Sequence, residues 1–193
     1  MITIIRNVRQ LLEKYSSGKN VLLLFVITQL VYLMMLFYTI PNVTAYAYGM
    51  KILDLMPTGY SAGYVKELFD KLGPAGRDYY LFRQLPLDMI YPFLFMAGYS
   101  LLLTYLFKKS FKPENKIHSL AIIPLFGGFF DYLENVGIIY MLNSFPNIST
   151  LAVNVTNLFS ILKSVSTTIF FVLLFVGIAC LINTKFRKSG DTI

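Results

Sequence analysis

The chain has 193 residues, is 56% hydrophobic and only 14% charged, and has a mean hydropathy of +0.61. A soluble domain carries roughly 25% charge, so the composition points to an integral membrane protein. One cysteine (Cys180) excludes an internal disulfide or a thiolate metal cluster, one histidine (His118) argues against a histidine-rich metal site or triad, and the net charge of +7 must first be read as a topology signal rather than as affinity for nucleic acid.

The first 19 residues are basic and amphipathic. Ile4, Val8, Leu11, Leu12 and Tyr15 fall on one helical face, with Arg6, Arg9 and Lys14 away from it. That pattern predicts a helix lying on the cytoplasmic leaflet. Next comes "VLLLFVITQLVYLMMLFYTI", Val21 to Ile40, with no charge. It is longer than the roughly 7–15 apolar residues of a secretory signal. A retained first span is therefore expected, despite the Ala45-x-Ala47 that follows it.

Pro41 to Leu87 is the only sizeable segment between spans. Ser61 is placed as an N-cap, and Val65, Leu68, Phe69 and Leu72 make an i, i+3, i+4, i+7 stripe. Gly73 and Pro74 signal a stop. A second short helix is predicted over 75–84, with Leu85–Pro86 turning the chain into span two. The stripe must bury against the outer leaflet or the tops of the spans, which makes residues 41–87 an extracytoplasmic helical cap.

Three more apolar segments follow, at about 89–107, 119–142 and 160–183, the last within a longer apolar run from Leu151 to Asn183. A hydrocarbon core of about 30 Å needs about 20 helical residues, so each suffices. Arg6, Arg9, Lys14 and Lys19 precede span one. Lys108, Lys109, Lys112 and Lys116 fill the connection between spans two and three, and Lys185, Arg187 and Lys188 follow span four. The connection "NSFPNIST" has no charge. The positive-inside rule then predicts an all-α bundle of four transmembrane helices, N-in and C-in, forming one domain over 1–193 in the plasma (inner) membrane. Eleven of the 17 basic residues are used this way, so no nucleic-acid partner is expected. Three Asn-x-Ser/Thr tripeptides, at Asn42, Asn147 and Asn154, fall on the predicted outer side.

Span three is the unusual one. "GGFFDYLENVGIIYML" carries Asp131, Glu134 and Asn135. Asp131 and Glu134 are i, i+3 and share a face with Pro124, Gly127 and Gly128, whereas Phe129, Leu133, Val136 and Tyr140 lie opposite. Small and polar side chains belong against other helices. At about 1.5 Å per residue from His118, Asp131 lies roughly 20 Å and Glu134 roughly 24 Å into the membrane. Lys163 of span four, counted back from Asn183, lies roughly 30 Å up. Glu134 is thus the expected partner of Lys163, and Asp131 is left without one. Gln29 and Tyr32 of span one fall at similar depth, Asp88, Arg77 and Arg83 lie at or above the outer boundary, and Asn157 lies on the polar stripe near Lys163. His118 is placed at the membrane interface and Cys180 in the apolar interior.

Charges at such depth are costly unless paired or solvated. One reading is structural: an ion pair plus interhelical hydrogen bonds. The other is a ligand-binding pocket made from Asp131, Glu134, Asn135, Lys163, Gln29, Tyr32, Asp88 and Asn157. No hydrolase, metalloprotease or phosphate-loop motif is present, and no metal or cofactor is expected. The function expected is binding of a lipid or small amphiphile, or an accessory role toward a membrane-protein partner or a second copy. An intramembrane enzyme with Asp131 or Glu134 as acid/base is the alternative. An oligomeric transporter or channel subunit is the third.

Overall fold

The computed structural model describes residues 2–190. It is all-helical, with no strand among the described residues, and four of its helices are long and apolar enough to cross a membrane. This architecture fits a membrane protein. The side chains of Ile4, Lys185, Arg187 and Lys188, invoked for the amphipathic face and for orientation, lie outside the described residues.

Helix α1 (Ile2–Tyr15) ends at Ser16–Ser17, and α2 (Gly18–Tyr46) starts there. Ser17 has extended backbone and its Oγ accepts from Asn20 N–H at 3.3 Å, a helix N-cap that permits a sharp change of direction. The apolar face of α1 is only partly covered: Leu12 is buried, whereas Leu11 and Tyr15 are exposed beside a groove edged by Phe93 and Met96. The basic connection holds α1 in place. Arg9 pairs with Glu13 at 2.7 Å and donates to Pro113 O at 3.2 Å, and Lys108 donates to Glu13 O at 3.1 Å. His118, expected at the membrane interface, is buried under this connection, with Nε2 donating to Lys112 O at 3.0 Å. Cys180 is half-buried rather than fully interior.

Residues 41–87 do fold as helix and turn, with differences from the sequence expectation. Helix α2 runs past Ile40 to Tyr46, and α3 spans Ala62–Tyr79. Ser61 Oγ caps α3 by accepting from Tyr64 N–H at 3.2 Å. Val65, Leu68, Phe69 and Leu72 are all buried against the bundle end, among Val43 of α2, Ile138 and Met141. Burying such side chains contributes about 1.5–3 kcal/mol each relative to water. Gly73 interrupts α3 at φ +62°, ψ −179°, a conformation open to glycine alone. Arg77 caps the interrupted turn by donating to Phe69 O at 2.7 Å, and its guanidinium lies 4.4 Å over the Phe145 ring.

The expected turn at Leu85–Pro86 does not exist. From Pro74 the chain stays helical through a π-helical turn (Tyr80–Gln84) into α4 (Leu85–Ser110). Pro86 lacks an N–H, and in a regular helix its ring would clash with the carbonyl four residues back. The π turn, with Leu85 N–H bonded to Tyr80 O, widens the helix just before the proline and relieves that clash. Helix α2 uses the same device. A π turn at Met35–Thr39 precedes Pro41, with Ile40 N–H bonded to Met35 O. The two π turns touch: the buried Thr39 hydroxyl donates to the Gln84 side-chain carbonyl.

A 3₁₀ segment (Lys116–Ile122) leads into α5 (Ile123–Ser144), and α6 (Thr150–Gly190) closes the bundle. On α5, Pro124, Gly127, Gly128, Asp131, Glu134 and Asn135 are buried, while Phe129, Val136 and Tyr140 are about half exposed. The small-polar face therefore points into the bundle, as the spacing predicts. A Cβ on Gly128 would lie 2.7 Å from Pro92 O, and one on Gly137 2.1 Å from Thr156 Oγ1. These glycines let α5 approach α4 and α6 closely. Helix α4 is central. It packs on α1, α2, α5 and α6, whereas α2 packs on α4 and leaves a seam toward α6.

Candidate functional site

Lys163 sits among acids. Its Nζ lies 3.2 Å from Asp131 Oδ1 and also contacts Glu134 Oε2, so one ammonium bridges both carboxylates of α5. Asp131, expected to lack a lysine, has the same one as Glu134. The depth count failed because it treated α5 and α6 as parallel rods with a common zero. Packing sets their real offset, and a lysine stem of four methylenes makes up what remains. The i, i+3 spacing then delivers both acids to one point.

Asn135 answers a different need. Its Nδ2 donates to Asp88 O at 2.7 Å. In a regular helix that carbonyl would accept from residue 92, which is proline and has no N–H. Asn135 supplies the missing donor from the neighbouring helix, inside the apolar interior where an unpaired carbonyl is costly.

Beside these groups lies a cavity of about 340 Å³. Asp88, Asp131 and Lys163 form its polar wall, together with Asp54, which the sequence reading passed over. Asp54 sits in a short 3₁₀ turn (Leu53–Leu55) between α2 and α3 and accepts from Tyr80 Oη at 2.5 Å. The signal for it was slight: a lone acid flanked by leucines in "KILDLMP". The loop that carries it is fastened at three points. Tyr64 Oη donates to Lys51 O at 2.7 Å, Tyr60 N–H donates to Asn157 Oδ1 at 2.7 Å, and Ser160 Oγ donates to Met56 O at 3.4 Å. Gly59, at φ +89°, leaves room for Asn157, whose Oδ1 would be 2.3 Å from a Cβ there. Burial, followed by repulsion from Glu134 and Asp54, pushes the Tyr60 phenol above its ordinary range, so it stays a neutral hydroxyl.

The rest of the lining is apolar, aromatic or hydroxylic. Tyr32, Tyr91 and Phe95 form one side, with Tyr32 and Tyr91 ring centroids 5.8 Å apart. Met35 and Ile40 come from the widened region of α2, where the extra residue of a π turn opens space beside the helix. The rim residues Tyr32 on α2 and Phe171 on α6 are exposed. Thr168 on α6 and Leu55 and Pro57 of the Asp54 loop are exposed parts of the same lining, so the cavity opens between α2 and α6 and beneath that loop.

Six of the eight sequence-selected residues meet at this place. Asp88, Asp131, Lys163 and Tyr32 line the cavity, Glu134 lies behind Lys163, and Asn135 holds the Asp88 backbone. The other two do not join it. Gln29 accepts from Tyr99 Oη at 2.8 Å, and Asn157 anchors the Tyr60 loop. Arg77 is also elsewhere, on Phe69 and Phe145. Among the described residues, no three His, Cys, Asp or Glu side chains are placed to hold a metal ion together. The chain matches no protein-family model, no curated protein and no solved structure.

Proposed function

We propose that the protein binds a lipid or small amphiphile that enters the cavity from the membrane between α2 and α6. The observation that supports this is the make-up of the cavity: a charged inner wall, an apolar and aromatic flank, and an opening that includes the seam between α2 and α6. An amphiphile matches both ends of such a site, its polar head at the acids and its chain toward the seam. The accompanying orientation has both termini and the basic connection after α4 in the cytoplasm, with α3 as a cap on the opposite side of a plasma (inner) membrane. Membrane lipid is then the immediate partner. A partner's membrane helix or a second copy of the chain is the other occupant that the seam accommodates.

An intramembrane enzyme on a lipid-like substrate is the second reading. Lys163 engages both Asp131 and Glu134, and Asp88 and Asp54 are cavity-lining carboxylates that each keep a buried oxygen without a donor, available for proton transfer.

The binding reading is tested with a diazirine-bearing long-chain alcohol in liposomes, mapping labelled residues by mass spectrometry. Labelling should concentrate on residues 32–40 and 164–171 and fall when Thr168→Phe narrows the seam. Equal labelling of the Phe129, Val136 and Tyr140 face, unchanged by Thr168→Phe, would show ordinary lipid contact and no site.

A further inference from the structure

We infer that the amphiphile taken by this cavity carries a cationic, amine-type head group, held by Asp88 and Asp54. The inference rests on the amphiphile reading above and adds the chemistry of the head. Three carboxylates, those of Asp54, Asp88 and Asp131, line one cavity with Glu134 behind them, and among the described residues Lys163 is the cation that lines it with them. Its ammonium is taken up by Asp131 and Glu134. The strongest charged neighbour of Asp88 is another acid, Asp54. Two carboxylates side by side out of water repel, and a cation bound to both relieves the repulsion.

Asp88 is 4% exposed and lines the cavity, and its Oδ2 has no donor among the described residues; its side-chain neighbour is the Asp54 carboxyl, itself an acceptor. Asp54 gives Oδ2 to Tyr80 and keeps Oδ1 unpartnered as well. A buried acceptor without a donor is unusual in a folded protein. Two of them at one cavity wall form a receptor for a donor that brings its own charge, and an alkylammonium offers three N–H groups. The aromatic flank suits the same ligand, because the faces of Tyr32, Tyr91 and Phe95 attract a cation.

The competing ligands fit less well. An anionic head group would meet four carboxylates and a lysine already neutralised by two of them. A bare divalent ion needs more oxygen ligands than converge here.

The test uses the full-length protein in a neutral maltoside detergent, with dodecylamine, dodecanol and dodecanoate compared by isothermal titration calorimetry. Dodecylamine should bind most tightly. Asp88→Asn should weaken it about 10- to 100-fold, the range for losing one charge-assisted hydrogen bond, while leaving dodecanol unchanged. Asp54→Asn provides an independent variant should Asp88→Asn fail to fold, and it should reduce the amine preference in the same way. Equal affinity for dodecanol would overturn the cationic head while leaving the amphiphile site intact. Tighter binding of dodecanoate would overturn it in favour of Lys163 as the head-group contact. Binding of none of the three would sink the amphiphile reading itself, and the inference with it.

Discussion

Replacing Lys163 by methionine removes the cation while keeping most of the stem's volume. Asp131 Oδ1 lies 3.2 Å from Nζ. At an effective dielectric of about 20, a unit charge pair at that distance attracts by about 5 kcal/mol. The contact with Glu134 adds a second attraction, and burying all three groups offsets much of the gain. What counts is the state left behind: two buried carboxylates, i and i+3, with no cation between them. Breaking a buried pair by removing one partner costs about 3–5 kcal/mol, so Lys163→Met should destabilise by that much. Glu134→Gln should cost less, because Asp131 still satisfies the lysine. The double variant Lys163→Met/Glu134→Gln should be more stable than Lys163→Met alone, with a coupling energy of about 1–3 kcal/mol. Equilibrium unfolding in mixed micelles, followed by far-ultraviolet circular dichroism, measures each term. If Lys163→Met costs less than about 0.5 kcal/mol and the cycle is additive, the ammonium does not hold α5 to α6 and the bridging account is wrong.

Three further outcomes follow from the packing. Asn135→Ala should cost about 1–3 kcal/mol by orphaning Asp88 O, and Pro92→Ala in the same chain should return part of that by restoring an in-helix donor; no rescue in the same unfolding assay would refute the proline account. Gly128→Ala should cost about 1–3 kcal/mol and lower the Tm, because the new methyl meets the Pro92 carbonyl, which cannot rotate away as the Met96 side chain can; an unchanged Tm would mean that α4 and α5 do not approach this closely. In a Cys180→Ser background, cysteines placed singly at Lys112 and Asn147, both exposed, should react with an impermeant maleimide from opposite sides of sealed vesicles; reaction from the same side would overturn the proposed orientation.

Much of this fold is legible in the residues because membrane spans obey a local rule. In a bilayer about twenty predominantly apolar residues make a helix whatever their neighbours, and small or polar positions at i, i+3 and i+4 spacing must turn away from lipid. Both rules act within one segment, so the four long apolar helices and the inward face carrying Asp131, Glu134 and Asn135 could be read without knowing any neighbour. The cap at Ser61 and the break at Gly73 belong to the same class, since side-chain chemistry and the lack of a Cβ decide them on the spot.

What the sequence could not decide are the relations between segments. Which acid meets Lys163 depends on the offset and tilt of α5 against α6, and counting residues from assumed membrane edges gave Asp131 no partner where packing gives it a direct one. Leu85–Pro86 reads as a turn because proline interrupts a regular helix; only a π turn bonded to its counterpart in α2 carries the helix through. Asp54 is an ordinary loop acid until the loop is fastened by Asn157, Ser160 and Tyr64 and its carboxylate comes to lie beside Asp88. Composition and periodicity set the spans and their polar face because those are single-helix properties. The cavity, its unpaired acids and its opening arise only where four helices and one loop meet, so tertiary packing alone determines them.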